Sequence, residues 1–233
     1  PLMSEHERNI SLNEKLFARI KAAYELTDKN KLTPEQSKLL EDIYTGFVRN
    51  GANLQGDARE KYRKLCKELS LLTLQFSENA LKETNDYQLV LTNKSQLSGL
   101  PESAVDAAAE TAQETGVKGG VFTLHATSYS PFMTYADNRD LRQELYMAYN
   151  TKCTHDNACN NLEIVKKIAN VRMEIAQLLG YDNFAEYNLK ERMAQNSDAV
   201  YKLLNQLLEA YTPTAQKEYA EVQALARNEE GES

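Results

Sequence analysis

Most of this chain repeats apolar residues at the spacing of an α-helix, and few residues interrupt the repeat. Between Leu39 and Val48, the apolar side chains fall on one helical face. Thr33 and Gln36 frame Pro34 in the pattern of a capping box, which predicts where this helix begins. The 233 residues include only 9 Gly and 5 Pro, too few for the many turns of an all-β fold. The chain is therefore predicted to be mainly α-helical.

The same periodicity predicts further helices on both sides of a central region. Ser11 and Asp57 are the residues expected to begin two of them. Gly116 and Gly180 follow two others, at the position where a glycine ends a helix. The predicted helices cover residues 11–24, 33–50, 57–81, 102–115, 138–149, 162–179 and a last stretch from 197 onwards.

The last predicted helix begins at Ser197 and carries a strong apolar stripe. Pro213 lies within its pattern and is expected to kink or end it, because proline lacks the backbone donor of the helix ladder. The stripe is expected to form a buried face. Its members are Val200, Leu203, Leu204, Leu207, Leu208 and Tyr211.

Two short runs in the centre of the chain have the character of strands. Residues 87–91 and 121–124 are rich in apolar, β-branched and aromatic side chains. Only one helical pattern separates them, so the expected fold is helical with a small two-stranded β ribbon and no full sheet. The expected organisation is three segments: helices over 1–86, the ribbon with its helix over 87–125, and a second helical segment over 126–233.

Charge and cysteine content restrict the function and the location. The formal net charge is −7, which argues against a nucleic-acid or anionic-membrane partner because such a partner requires a basic face. The odd number of cysteines, 3, favours a reducing compartment. We therefore expect a cytoplasmic location. The chain starts at Pro1 without a methionine, so we also expect a truncated piece of a longer protein, which leaves a periplasmic location open.

One cluster of side chains has the chemistry of a metal site. Cys153, His155, Asp156 and Cys159 lie within seven residues, and all are types that bind zinc. Their spacing is not that of a zinc finger, and Cys66 would have to supply any distant thiolate. The interpretation we prefer is a polar loop with free thiols, with a metal site as the alternative.

The other candidate motifs are incomplete. His6-Glu7 begins an H-E-x-x-H pattern, but Ile10 stands where the second histidine belongs. Ser128 lies near His125 without the G-x-S-x-G turn of a nucleophilic serine. Two further groups are interpreted as structural: the charged set Asp137, Arg139, Asp140 and Arg142 as caps and surface pairs, and the many tyrosines of the second half as a helix rim that could also form a cleft wall. We assign no catalytic, cofactor-binding or metal-binding residue.

Two longer segments carry a family resemblance. Residues 170–187 (NVRMEIAQLLGYDNFAEY), followed by Arg192-Met193-Ala194, and residues 138–146 (NRDLRQELY) resemble the thimet-oligopeptidase family of zinc peptidases. Residues 5–13 (EHERNISLN) with 16–20 (LFARI) are most similar to its dipeptidyl carboxypeptidase branch. The resemblance extends from Ser4 to Arg227.

The resemblance implies the N-terminal part of a neurolysin-like or thimet-oligopeptidase-like fold, in which helices form one wall of a deep substrate channel. It implies zinc in the full-length parent, held by an H-E-x-x-H motif that this chain lacks, and short oligopeptides as substrates. The expected parent is a peptidyl-dipeptidase that removes C-terminal dipeptides. This chain alone is expected to be inactive, to hold no zinc, and to form a homodimer through exposed apolar surface. Two alternatives stay open: an oligopeptidase-type endopeptidase parent, and a helical scaffold or adaptor without catalysis.

Overall fold

The computed structural model describes residues 2–230, and within them the chain forms ten α-helices, two short 3₁₀-helices (Lys29–Lys31 and Lys94–Leu97) and a two-stranded ribbon. The helices are α1 (Leu2–Ser11), α2 (Glu14–Leu26), α3 (Pro34–Arg49), α4 (Gly56–Asp86), α5 (Glu102–Glu114), α6 (Ala126–Tyr135), α7 (Arg139–Asn150), α8 (Leu162–Leu178), α9 (Phe184–Leu189) and α10 (Ser197–Glu230); the strands are β1 (Leu89–Leu91) and β2 (Gly120–Phe122). The prediction of a mainly α-helical chain with a small ribbon is confirmed.

The chain divides into two compact units, with the boundary between Arg172 and Met173 in α8. The first unit holds α1 to α7 and the ribbon, and the second holds α9 and α10. None of the helices within residues 2–230 is both long and apolar enough to cross a membrane.

The predicted capping box at the start of α3 is confirmed. The backbone N–H of Gln36 donates to the Thr33 hydroxyl at 3.3 Å, and the N–H of Thr33 donates to the Gln36 side-chain oxygen at 3.0 Å. Both partners lie within one turn, so the sequence alone is sufficient to form this pair.

The predicted starts of two other helices are wrong by one or two residues. Ser11 is the last residue of α1, where its hydroxyl donates back to the Glu7 carbonyl at 3.0 Å. Asn13 caps α2 instead, and accepts the N–H of Leu16 at 3.0 Å. At α4, Asp57 lies inside the first turn, and the helix begins at Gly56 without a side-chain cap.

Aromatic rings join α2 to α3 in the first unit. The rings of Tyr24 and Tyr44 stack with centroids 4.0 Å apart, and those of Phe17 and Phe47 with centroids 6.2 Å apart. Such pairs add to the free energy gained from burying the rings.

A buried arginine ties α4 to the chain near the N-terminus. Arg59 is only 8% exposed, and its guanidinium donates to the backbone carbonyl of Leu12 and to the carboxylate of Glu14. A buried charge requires such partners, because desolvation without them is very costly.

The ribbon is antiparallel; along β1 the side chains alternate between a buried inner face and an exposed outer face, whereas all three residues of β2 are buried. Leu89 pairs with Phe122 and Leu91 pairs with Gly120 in its register. Leu89 and Leu91 are buried, whereas Val90 between them is 39% exposed, as the alternation of side chains along a strand requires. Glycine is needed just before β2, because Gly119 has φ +106° and an added Cβ would lie 2.3 Å from the Leu91 carbonyl oxygen.

The central core of the first unit forms where this inner face meets helices α5, α6 and α7. Phe132 of α6 is fully buried and meets Phe122 edge to face, with ring centroids 4.7 Å apart. The other buried members of the cluster are Leu89, Leu91, Ala108, Leu124, Ala136 and Leu145.

Helix α10, in the second unit, continues through Pro213 to Glu230, so of the two outcomes expected at the proline the end of the helix does not occur. Its apolar stripe is not a buried face: Leu203, Leu204, Leu207, Leu208 and Tyr211 are all exposed, and only Val200 is half-buried. The periodicity correctly indicated a helix, but periodicity does not specify what covers the apolar face.

Neighbouring residues of β1 give a direct test of where the core lies. We predict that Leu91→Ala lowers the free energy of unfolding by about 2–5 kcal/mol, because it leaves a cavity in the core. Val90→Ala, on the outer face, should cost less than about 1 kcal/mol. Urea unfolding followed by circular dichroism measures both, and equal losses for the two variants would contradict the assignment of the inner face.

Candidate functional site

The incomplete zinc pattern near the N-terminus lies on helix α1. His6 and Glu7 are both exposed, and so is Ile10, which occupies the position of the missing second histidine. A pair of imidazoles on one helix face is therefore absent from α1, the segment of the described chain that carries the half-motif.

The cysteine and histidine cluster lies in the loop between α7 and α8, which is fastened to α4. Asn161, at the end of this loop, donates through its side chain to the Phe76 carbonyl at 3.0 Å and accepts the Asn79 amide at 2.8 Å. Cys153 has a left-handed backbone, φ +59°, and its N–H donates to the carboxylate of Glu83. These bonds explain the structure of the loop without a metal.

The potential zinc ligands of this loop are in different surroundings. Cys153 and Cys159 are buried, whereas His155 and Asp156 are exposed. His155 Nε2 lies 3.2 Å from the Thr151 hydroxyl and 4.0 Å from a Glu83 carboxylate oxygen. Over residues 2–230, no group of three or more His, Cys, Asp and Glu side chains is placed to hold a metal ion.

Cys66 cannot complete a metal site in this loop. It lies 17 residues before Glu83 on the same helix, which corresponds to roughly 25 Å along the helix axis. Its carbonyl accepts Arg8 at 3.4 Å, near the other end of α4. The hydrogen bonds in the structure are those of an anchored loop with free thiols.

Burial makes the Cys153 thiol a weaker acid than an ordinary cysteine thiol. Desolvation, followed by the hydrogen bond and the negative charge of Glu83, raises the pKa of Cys153 from 9.0 to about 11. The thiolate is the form that binds metals and attacks electrophiles. The surroundings of Cys153 therefore disfavour both reactions.

His125 and Ser128 do not form a nucleophilic pair. The Nδ1 atom of His125 lies 3.1 Å from the Thr123 hydroxyl, and its Nε2 atom lies 3.2 Å from the Asn85 side-chain oxygen. Ser128 accepts the backbone N–H of Thr123 at 3.0 Å instead. Neither ring nitrogen is thus directed at the serine, as a general base would be.

The charged set at the start of α7 has a structural role. Asp137 accepts the Ser98 hydroxyl at 2.6 Å. Arg142 donates to the carbonyls of Ala136 and Asp137, which follow the end of α6. A cation at that position satisfies carbonyl groups that the helix leaves open. The interpretation as caps is supported for these residues.

The tyrosines of the second half are divided between the two units. In the first unit, the rings of Tyr129 and Tyr149 stack with centroids 4.2 Å apart, and Lys152 lies 4.1 Å above Tyr149. In the second unit, Tyr201 and Tyr211 are exposed on α10.

A groove lies beside the ribbon, and we call it the ribbon groove. It lies between the end of α4, the faces of α5 and α6, and strand β2, and its volume is about 750 Å³. Asn85 lines it from the end of α4, and His125 and Ser128 line it from the start of α6. The sequence marks His125 and Ser128 as candidate residues, but it contains no pattern that predicts the position of Asn85 beside them.

Comparison with known proteins identifies relatives over nearly the whole chain. Residues 132–233 match the model of Peptidase family M3. The chain is 34% identical to oligopeptidase A of Haemophilus influenzae and 34% identical to oligopeptidase A of Escherichia coli, in each case over 99% of this chain. It is 28% identical to dipeptidyl carboxypeptidase of Escherichia coli over 98% of this chain.

These matches confirm the resemblance to the thimet-oligopeptidase family. They support the dipeptidyl carboxypeptidase branch less well than oligopeptidase A, since the identity to oligopeptidase A is higher. The chain spans 34–35% of the length of these relatives.

The raised pKa of Cys153 predicts slow alkylation. In a variant with Cys66→Ser and Cys159→Ser, the thiolate fraction of Cys153 at pH 8 should be about 100-fold below that of an ordinary thiol, since its pKa is two units higher. The rate with iodoacetamide should keep rising up to about pH 11. The same variant unfolded in urea is the control, and equal rates at pH 8 in the folded and unfolded states would contradict the prediction.

Proposed function

From the confirmed relationship to peptidase family M3, we propose that this chain is a non-catalytic, helical part of a zinc-dependent oligopeptidase. One observation carries the proposal: 99% of the chain aligns with oligopeptidase A, yet it spans only about a third of that protein. The expected substrates are short oligopeptides.

The zinc chemistry of such a parent is expected to reside outside this chain. All three histidines, His6, His125 and His155, lack a second histidine four residues later. The H-E-x-x-H ligands are therefore missing from the sequence, and the residues present do not fit a zinc peptidase centre. We derive no catalytic step from these residues.

The role proposed for the chain is to form part of the wall that limits access to the parent's active site. The long helices α4 and α10 are consistent with a wall. The exposed apolar stripe of α10 also supports this role, since such a surface is characteristic of an interface. The proposed organisation of the chain is the three segments 1–86, 87–125 and 126–233.

A peptidyl-dipeptidase parent is the second candidate. It is favoured by the alignment of 98% of the chain with dipeptidyl carboxypeptidase. The proposed location for either parent is the cytoplasm, on the ground that Cys66, Cys153 and Cys159 are all free thiols. The net charge of −7 supports substrates other than nucleic acid.

Zinc content and peptide cleavage test the proposal together. We expect no zinc and no cleavage from this chain after equilibration with zinc and dialysis, because it lacks the motif. A longer protein that contains the chain should hold zinc and cleave oligopeptides. Zinc that stays with this chain and is lost in Cys153→Ser with Cys159→Ser would show a metal site of its own, and a longer protein without peptidase activity would favour the scaffold alternative.

The choice between the two parents depends on the substrate's C-terminus. An endopeptidase should cleave a peptide whether its C-terminus is a free carboxylate or an amide. A peptidyl-dipeptidase should release dipeptides only from the free carboxylate. We expect cleavage of both forms, in line with oligopeptidase A, and activity on the free acid alone would favour the second candidate.

The exposed stripe of α10 predicts self-association of this chain. We expect a dimer by light scattering at high concentration, because a contiguous exposed apolar surface rarely stays in contact with water. Leu204→Glu with Leu208→Glu should shift the chain towards the monomer. Asn205→Glu with Gln206→Glu adds the same charge at polar positions and should not, and a monodisperse wild-type monomer would contradict the prediction.

A further inference from the structure

The ribbon groove has a lining that is unusual for this chain. Charged residues make up 26% of the sequence, yet among the described residues that line the groove there is no Asp, Glu, Lys or Arg. Its volume of about 750 Å³ is within the range of ligand-binding pockets, about 300–1,000 Å³. A groove of this size and composition is suited to an uncharged ligand.

The polar groups of the groove include both donors and acceptors. Asn85 accepts His125 through its side-chain oxygen, which leaves its amide nitrogen as a donor. Ser128 accepts the N–H of Thr123, which leaves its hydroxyl proton as a donor. Thr111 donates its hydroxyl proton to the Ala107 carbonyl at 2.9 Å, which leaves its oxygen as an acceptor.

His125 is held in one orientation. Its Nε2 atom faces the side-chain oxygen of Asn85, which can only accept, so Nε2 donates, and its Nδ1 atom lies 3.1 Å from the Thr123 hydroxyl. Both ring nitrogens therefore have a partner within the protein. The ring in turn orients the side chain of Asn85.

Part of the lining is apolar and small. Ala104 and Ala107 of α5 present methyl groups, and Pro101 and Pro131 lie at other points of the groove, beside larger and polar side chains such as Tyr135. The small residues leave room for small uncharged side chains of a ligand. The donors and acceptors above are of the kinds that pair with the carbonyl and N–H groups of an extended peptide.

We propose that the ribbon groove binds an uncharged segment of an extended peptide, as a binding site that contains no catalytic residue. The choice of a peptide over another uncharged polar molecule rests on the proposed function. A charged side chain at this position would lose solvation without gaining a partner of opposite charge, so segments with Asp, Glu, Lys or Arg should be rejected.

The experiment titrates the isotope-labelled chain with two capped tetrapeptides and follows backbone amide shifts by NMR. N-acetyl-Ala-Ser-Gly-Ala-amide should bind with a Kd on the order of 1 mM, and the shifts should centre on Ala107, His125 and Ser128. N-acetyl-Ala-Asp-Asp-Ala-amide should bind at least about tenfold more weakly.

Two tryptophan substitutions on α5 form a matched pair. Ala107 and Ala109 are both exposed, but only Ala107 lines the groove. Ala107→Trp should fill the groove and weaken binding of the neutral peptide at least about tenfold, while Ala109→Trp should leave it unchanged. Thermal unfolding of both variants checks that each is folded.

The results that overturn the inference are distinct from those that overturn the proposed function. Absence of saturable shifts with the neutral peptide, shifts centred elsewhere, equal binding of the charged peptide, or binding of maltotriose in preference to the peptide would each refute the peptide site. None of these outcomes depends on zinc or cleavage, so the groove can fail while the longer protein proves to be a peptidase. Conversely, peptide binding in the ribbon groove with no peptidase activity in the longer protein would refute the proposed function and support the peptide site.

Discussion

The first unit is organised around a ribbon that cannot be stable by itself. Two short strands bury too little surface to hold together in water, so their inner face must be covered by helices. The contact of Phe122 with Phe132 provides that cover, with ring centroids 4.7 Å apart. It fixes α6 against β2, and the groove beside the ribbon lies between these same elements. The proposed binding site is therefore a consequence of how the core is closed.

Polar contacts near the two ends of α4 attach two other parts of the first unit to this helix. At one end, buried Arg59 donates to Leu12 and Glu14. Towards the other end, Asn161 bonds to the backbone of Phe76 and to Asn79, and the N–H of Cys153 bonds to Glu83. The latter bonds account for the loop that contains the thiols. The loop whose residue types suggested a metal site is thus a point of attachment to α4.

Sequence patterns predict the features that depend on neighbouring residues. They fail for features that depend on contacts between residues distant in the sequence. The capping pair of Thr33 and Gln36 is local, and it was predicted correctly. Helix α6 was not predicted, because Pro131 and several hydroxyl side chains disfavour a helix; burial of Phe132 outweighs this propensity. Asn85 and His125 are 40 residues apart, so the periodicity of neither segment could place them in one groove.

The central claim is that the ribbon core is complete in this chain, whereas α10 requires a further partner. Amide hydrogen exchange of the chain, compared with that of a longer protein that contains it, tests this claim most directly. With this chain measured at a concentration low enough for it to be monomeric, the account predicts equal, strong protection of Leu89, Leu91 and Phe122 in both, and a rise in protection along α10 only in the longer protein. Equal protection of α10 in both, or weak protection of the ribbon in this chain, would contradict it.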